Sequence, residues 1–278
     1  MQLGIRLHDT ENMPFESRIA NVHTQGFTCA HLAISKLLPE IPKDPGALTP
    51  GLAMYMKNIF AQNHVEVAVL GCYLNLATPD QAALEANLEK YKAHIRFASL
   101  LGAGVVGTET GAPNTTYTTC PECRSEEALQ TFIKNLRPVV SYAEKMGVIF
   151  AIEPVAKHIV YDAKRARKVL DEIASPNLQI IFDPVNLLSV ENYVNQDEII
   201  AEAIELLGKD VAVVHLKDFI PENGDLQAVA AGKGQMDYTR ALQFIKTCKP
   251  YIHTTLENTA PDNAVWAREC LEKLYNQL

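Results

Sequence analysis

The chain has 278 residues, 47% of them hydrophobic, and its 33 acidic and 25 basic residues give a net charge of −8. This length suits one large barrel or two smaller domains, and because the composition has no break we predict a single domain over residues 1–278. The acidic balance without a basic run argues against a nucleic-acid partner, and the lack of a leader pattern or a run of about 18 apolar residues predicts a cytoplasmic protein without a membrane partner.

In chain order, short apolar runs rich in β-branched residues alternate with stretches of helical apolar spacing. The predicted strands cover residues 3–7, 28–34, 65–70, 105–108, 148–154, 178–186, 211–218 and 251–258. The predicted helices cover residues 15–24, 49–63, 79–101, 125–146, 163–173, 197–207, 238–248 and 262–276. Residues 110–124 and 219–237 are predicted to be glycine-containing loops.

Eight strands that alternate with helices predict an α/β fold, a single closed (β/α)8 TIM barrel. The rival architecture is an open doubly wound sheet, which binds ligands at one switch point. No glycine-rich dinucleotide-binding motif follows the first strand, and functional groups end four consecutive strands. Both observations favour the barrel, whose active site lies at the carboxyl ends of its strands.

The six cysteines are scattered along the chain and do not form a disulfide framework for a protein of this size. The one close pair is Cys120 and Cys123, in the sequence Cys-Pro-Glu-Cys. A four-ligand zinc site would need a second such pair. We therefore expect a reduced surface loop at this point.

The last four predicted strands each end on a side chain that can bind a metal. These residues are Glu153, Asp183, His215 and Glu257, separated by 30, 32 and 42 residues. Because a βα unit takes about 30 residues, the four side chains belong to consecutive units and converge at one face. Three carboxylates crowded there would repel one another, and a cation removes the conflict. Three carboxylates and one imidazole predict one divalent ion, with Mn²⁺ preferred over Mg²⁺, Co²⁺, Fe²⁺ or Zn²⁺.

Five segments surround these residues: Ile152-Glu153-Pro154, Phe182-Asp183-Pro184-Val185-Asn186, Val214-His215-Leu216-Lys217-Asp218, Gly232-Lys233-Gly234-Gln235-Met236-Asp237 and Leu256-Glu257. Together they resemble the xylose-isomerase-like barrel superfamily, and in particular its ketose 3-epimerases. The resemblance covers essentially the whole chain and implies a sugar isomerase or epimerase. It implies the metal ligands Glu153, Asp183, His215 and Glu257, with Glu153 and Glu257 also serving as the acid/base pair.

The chain departs from the family pattern at Asn186, where ketose 3-epimerases commonly have a histidine. An asparagine can still hydrogen-bond a substrate hydroxyl, so the chemistry survives while the identity of the sugar stays open. The departure also argues against endonuclease IV, another member of the superfamily. That enzyme needs further histidines, and here Asp237 is followed by Tyr238 and Thr239.

Four more residues are candidate substrate contacts because they lie at or near strand ends. Glu109 ends the fourth strand, where an ion pair or a loop cap is the alternative role. His8 and His31 lie at the ends of the first and second strands and could contact sugar hydroxyls. Lys217 alternates with His215, so it could face the same side and bind a phosphate, a carboxylate or an enediolate oxygen.

The sequence therefore predicts a divalent-metal-dependent isomerase that transfers a proton next to the carbonyl of a ketose, a ketose derivative or a sugar phosphate. The alternatives within this chemistry are an inosose dehydratase and a hydroxypyruvate isomerase. A further alternative from another class is a barrel that binds metal and sugar without catalysis. The sugar, the native metal and a homo-oligomeric state are left open by the sequence.

Overall fold

Eight parallel strands close into a barrel in this computed structural model, which describes residues 1–278. The strands are β1 (Gln2–Arg6), β2 (Cys29–Leu32), β3 (Glu66–Gly71), β4 (Val105–Glu109), β5 (Phe150–Glu153), β6 (Leu178–Phe182), β7 (Val211–Leu216), β8 (Asp218–Glu222), β9 (Asp225–Val229) and β10 (His253–Leu256). The neighbours around the barrel follow the order β1-β10-β7-β6-β5-β4-β3-β2, whereas β8 and β9 form a separate hairpin. This closure confirms the predicted (β/α)8 barrel.

Helices connect consecutive barrel strands, and one more helix follows the last strand. All but the short helix Ile34–Leu37 lie within a few residues of the predicted positions. No helix combines the length and the apolar composition needed to cross a membrane. The helices are α1 (Phe15–Thr24), α2 (Ile34–Leu37), α3 (Pro50–Gln62), α4 (Gln81–Leu101), α5 (Glu126–Met146), α6 (Ala163–Ile173), α7 (Gln196–Leu207), α8 (Thr239–Cys248) and α9 (Ala264–Gln277).

The two longest helices begin and end where their capping residues predict. The carboxylate of Asp80 accepts a hydrogen bond from the Ala83 amide at the start of α4. The hydroxyl of Ser125 accepts one from the Ala128 amide at the start of α5. Each helix ends at a glycine in the left-handed conformation, Gly102 after α4 and Gly147 after α5. Side-chain caps at the first turn and glycine after the last turn satisfy backbone groups that the helix itself leaves unpaired.

The apolar core has two parts. A cluster of 71 buried residues packs the strands against the surrounding helices. A smaller cluster comes only from strands of the barrel and fills its interior. Its members are Cys29, Ala68, Val69, Val105, Ala151, Ile181 and Val213. The interior is thus a packed core below the carboxyl ends of the strands, which leaves only that end for polar chemistry.

The prediction that residues 219–237 form only a loop is wrong, because they hold most of an antiparallel hairpin. Strand β8 pairs with β9, and Asn223 and Gly224 connect them. Both residues have positive φ, 51° and 77°. This is the conformation of a type I′ turn, whose right-handed twist matches the two flanking strands.

Asp218 anchors the segment that returns from this hairpin. Its buried carboxylate accepts hydrogen bonds from the backbone amides of Phe219 at 2.8 Å, Met236 at 2.8 Å and Gly232 at 3.0 Å. Only glycine fits at position 234, since a Cβ on Gly234 would lie 2.1 Å from the carbonyl oxygen of Phe219. The glycines therefore form a turn around a buried carboxylate.

The Cys-Pro-Glu-Cys segment is less exposed than predicted. It forms a short 3-10 helix over Pro121–Arg124, and Cys123 is buried while Cys120 is half-buried. The two Sγ atoms are 3.7 Å apart, and both thiols are free. Neither cysteine belongs to a group of side chains that could hold a metal ion.

We predict that Asp218→Ala lowers the free energy of unfolding by about 3 kcal/mol, because three buried backbone amides lose a charged acceptor. Denaturation in urea measures the change. The exposed Glu222 of the same hairpin supplies the control, and Glu222→Ala should change stability by less than about 0.5 kcal/mol. Equal losses in the two variants would contradict the anchoring role of Asp218.

Candidate active site

The four predicted metal ligands come together at the carboxyl ends of the barrel strands. One donor atom from each of Glu153, Asp183, His215 and Glu257 lies within 4.8 Å of the donor atoms of the other three. All four side chains belong to buried residues, none more than 5% exposed. We call these four residues the ligand cluster.

Strand order and side-chain alternation explain why the cluster forms. The four residues follow or end β5, β6, β7 and β10, which are adjacent around the barrel. Glu153, Asp183 and His215 each lie two positions after a member of the interior apolar cluster. Residues two apart on a strand face the same side, so these side chains point inward at the mouth of the barrel.

A buried lysine and a half-buried arginine face the carboxylates of the ligand cluster. The Lys217 Nζ atom is 2.7 Å from Asp183 Oδ2 and 3.4 Å from Glu257 Oε2. The guanidinium of Arg6 lies 3.4 Å from the same Glu257 oxygen and is oriented by two hydrogen bonds to Asp9, at 2.9 and 3.1 Å. The structure therefore compensates the buried negative charge with side chains supplied by β1 and by the residue after β7.

Burial disfavours every charge in the cluster, and the neighbouring charges decide the direction of each pKa shift. At His215, the carboxylates of Glu257 and Glu153 outweigh burial and raise the pKa to about 9. Burial also opposes ionisation of Glu257 and Glu153, but His215 lowers the pKa of both, well below the ordinary value for Glu257. Burial of Asp183 prevails over the charge of Lys217 and raises the pKa of that carboxyl.

The donor set fits a divalent cation. Three carboxylates and one imidazole are ligands that Mn²⁺, Mg²⁺ and Zn²⁺ all accept. The four donor atoms lie within 4.8 Å of one another, so these residues could hold one ion. His215 Nδ1 already lies 3.4 Å from oxygens of both Glu153 and Glu257. A metal would have to replace the proton on this nitrogen, since only neutral imidazole binds metals.

Asn186 contacts the cluster directly. Its side-chain amide donates a 2.6 Å hydrogen bond to Glu153 Oε1. Its backbone amide and that of Val185 donate to Asp183 Oδ1 at 3.2 and 2.9 Å. One short segment after β6 thus orients two of the four candidate ligands, and the proposed contact of Asn186 with a sugar hydroxyl stays a prediction.

His31 and His8 lie on the side of the mouth formed by β1 and β2. His31 is fully buried, and its ring stacks on that of His215 at a centroid distance of 5.3 Å. Its Nδ1 is 3.6 Å from Glu257 Oε1, so His31 contacts the cluster as well. His8 meets the His31 ring edge-on at 6.3 Å, and burial, followed by the charge of Arg6, lowers its pKa to about 3. Both histidines are close enough to the mouth to remain candidate substrate contacts.

Glu109 lies beside Glu153 in the pairing of β4 with β5. Tyr117 donates a 3.4 Å hydrogen bond to its carboxylate, and His158 Nδ1 lies 3.7 Å from the same oxygen. Burial, reinforced by the charge of Glu153, raises the pKa of Glu109 to about 7. The group can therefore exist in either protonation state at neutral pH.

Arg6, His158 and Tyr73 are site residues that the sequence did not single out for these contacts. Arg6 ends β1 two positions before His8, so the alternation of strand side chains could have indicated it. The hydroxyl oxygen of Tyr73 lies 3.2 Å from His31 Nε2. His158 belongs to the segment between β5 and α6, whose contact with Glu109 depends on the tertiary path of the chain.

The sequence profile described as xylose isomerase-like TIM barrel matches residues 19–274. The chain belongs to this family. The match confirms the resemblance inferred from the five segments and covers all four members of the ligand cluster. No curated protein sequence matches the chain.

Solved structures with the same fold include three that cover nearly the whole chain. The IolI protein with a bound zinc atom is 17% identical, with a TM-score of 0.75, over 100% of this chain and 99% of that one. A D-tagatose 3-epimerase-like protein is 19% identical, with a TM-score of 0.77 over 100% and 98%. The 3-keto-D-glucoside 4-epimerase YcjR from E. coli is 16% identical, with a TM-score of 0.74 over 99% of each chain. At these identities the likeness shows the fold alone.

We predict that Lys217→Met lowers the free energy of unfolding of the metal-free protein by about 3 kcal/mol, because it leaves the buried carboxylate of Asp183 without its cation and removes one of the cations beside Glu257. Added Mn²⁺ should recover part of the loss by supplying positive charge at the same carboxylates. Thermal denaturation with EDTA and with Mn²⁺ measures both effects.

The matched control is Lys164→Met, which removes an exposed ion pair with Glu202 at 2.7 Å. An exposed pair contributes at most about 1 kcal/mol, so this variant should resemble the wild type with and without metal. If Lys217→Met behaves like Lys164→Met, the buried carboxylates do not depend on the lysine.

Proposed function

We propose that this protein is a divalent-metal-dependent sugar isomerase or epimerase that transfers a proton next to the carbonyl of a ketose, a ketose derivative or a sugar phosphate. The observation that carries the proposal is the ligand cluster, in which two buried glutamates flank Asp183 and His215 at the mouth of the barrel. In this proposal Glu153, Asp183, His215 and Glu257 hold the ion.

The arrangement of the two glutamates supports their assignment as the acid/base pair. Glu153 and Glu257 come from β5 and from the residue after β10, the outer two of the four adjacent strand positions. They can therefore approach a substrate at the mouth from two sides. One carboxylate would accept the proton of the carbon next to the carbonyl, and the other would return a proton.

The cation supplies Lewis acidity to the substrate carbonyl, which acidifies the neighbouring C–H bond. We expect Mn²⁺ to be preferred, because hard carboxylates dominate the donor set and one imidazole adds affinity for transition metals. The zinc in the IolI protein supports a divalent ion in this fold.

Neighbouring side chains would position the reacting groups. Asn186 fixes one oxygen of Glu153, and Lys217 and Arg6 hold Glu257. The buried ammonium of Lys217 can also stabilise negative charge that develops on a substrate oxygen during proton transfer. His8 and His31 are the proposed contacts for sugar hydroxyls on the side of the mouth formed by β1 and β2.

Dehydration of an inosose is the second candidate reaction, and Glu109 is the observation that favours it. Dehydration needs the same base and an acid that protonates the departing hydroxyl. With its pKa raised to about 7, Glu109 can supply that proton beside Glu153. We place epimerisation and aldose–ketose isomerisation first because they require only the acid/base pair.

The proposal predicts that activity depends on the metal and exchanges substrate hydrogen with solvent. EDTA should abolish turnover, and Mn²⁺ or Mg²⁺ should restore it on one member of a panel of ketoses, sugar phosphates, hydroxypyruvate and inosose. In D₂O, mass spectrometry should find deuterium in the product at the carbon next to the carbonyl. Metal-independent turnover would contradict the proposed site, and turnover without deuterium would argue against proton exchange with solvent.

We predict that Glu257→Gln lowers kcat by roughly 10²- to 10⁴-fold, because glutamine cannot accept or return the proton. Circular dichroism and thermal denaturation check that the variant folds. Glu222→Gln, an exposed carboxylate on the hairpin, is the control and should keep full activity. Turnover is also what separates this proposal from a barrel that only binds metal and sugar, for which Glu257→Gln would change affinity alone.

A further inference from the structure

A separate basic cavity lies beside the ligand cluster, between the segments that follow β2 and β3. It has a volume of about 240 Å³. Three lysines line it, and they come from three elements: Lys36 from α2, Lys43 from the segment before α3, and Lys90 from α4. Asp44 is the one acidic residue of its lining. We call this cavity the lysine pocket.

The three ammonium groups have no carboxylate partner. The ion pairs of the chain include none of Lys36, Lys43 and Lys90. The carboxylate of Asp44 instead accepts a 2.7 Å hydrogen bond from the Gly46 amide. In a chain of net charge −8, a cavity with an excess of unpaired cations is positioned to attract an anion.

The walls of the lysine pocket strengthen that attraction. Ile34, Ile41, Leu48 and Leu74 form apolar parts of its lining. Apolar side chains keep the local dielectric constant below that of water, and a charge interaction at a fixed distance is stronger in such surroundings. Lys36 and Lys43 are exposed and Lys90 is half-buried, so an anion in the pocket would meet these lysines beside an apolar wall.

Two side chains, Tyr73 and His31, connect the lining of the pocket to the ligand cluster. Tyr73 lines the pocket, and its hydroxyl lies 3.2 Å from His31 Nε2. The His31 ring in turn stacks on the ring of His215 in the cluster, with a distance of 5.3 Å between the ring centroids.

We propose that the lysine pocket binds the phosphate or carboxylate group of an anionic sugar whose reacting carbons lie at the ligand cluster. The inference rests on the proposed function and narrows its substrate class to sugar phosphates or sugar acids. Lysine ammonium groups bind either anion as point charges, with three donors each and no demand for a planar partner. Binding energy from this remote group would hold the sugar in register with Glu153 and Glu257.

Calorimetric titration of the protein with inorganic phosphate and, separately, with acetate tests the pocket without turnover. The ionic strength is kept constant with NaCl. One of the two anions should bind saturably, and its identity shows whether the pocket suits a phosphate or a carboxylate. The double variant Lys36→Ala/Lys90→Ala should weaken binding roughly 100-fold, about tenfold for each lost charged contact. Lys134→Ala, an exposed lysine on α5, is the control and should bind like the wild type.

No saturable binding of either anion to the wild type, or equal binding to the double variant, would contradict the proposal that the lysine pocket binds an anion.

The sugar assignment is tested with an anionic sugar and its uncharged parent. The double variant should lower kcat/KM roughly 100-fold for the anionic sugar and leave that of the parent unchanged. Equal effects on both sugars would overturn the assignment. If the wild type turns over neither sugar, the proposed function fails, while the titrations still decide whether the pocket binds anions.

Discussion

The burial of three carboxylates at one end of the barrel is the constraint on which the site depends. Glu153, Asp183 and Glu257 are almost inaccessible to solvent, and their mutual repulsion would oppose folding unless positive charge lay among them. Lys217, Arg6 and a protonated His215 provide that charge in the protein alone. A divalent ion would take over much of the same task. The side chains that neutralise the cluster and the ion that it is proposed to hold are thus alternative solutions to one electrostatic problem.

The barrel confines this buried charge to one end, at the carboxyl ends of its strands, and keeps the rest of its core apolar. Its interior is filled with small and branched apolar residues, and 71 further residues pack the strands against the helices. The loops can then differ without disturbing the cluster. The hairpin of β8 and β9, the segment carrying Tyr117 and the lysine pocket all surround the same mouth, each with its own chemistry. Substrate choice in this fold is a property of those segments, whereas the ligands belong to the strands.

The eight strands, most of the helices and the converging ligands were predictable because each depends on local sequence. Apolar runs, capping residues and a spacing of about 30 residues are visible without tertiary information. The hairpin was missed although Asn223-Gly224 is a strong turn signal, because β8 contains Pro221 and proline is uncommon within a strand. The contacts of Arg6 with Glu257 and of His158 with Glu109 could not be predicted, since they depend on side-chain directions and on a loop path that no local sequence pattern shows. The single domain over 1–278, the cytoplasmic location and the role of each site residue stay predictions.

Strand β1 pairs with β10, so the first and last strands of the chain close the barrel against each other. Glu257 follows β10, and its Arg6 partner ends β1. The contact between Arg6 and Glu257 therefore crosses the seam between the first and last barrel strands, whereas all four members of the ligand cluster lie on the β10 side of it. A nascent chain has three of the four ligands in place before its last strand emerges, and the fourth arrives only with closure. An ion held by the ligand cluster would connect β10 to β5, β6 and β7, which ties retention of the metal to retention of the last strand in the barrel.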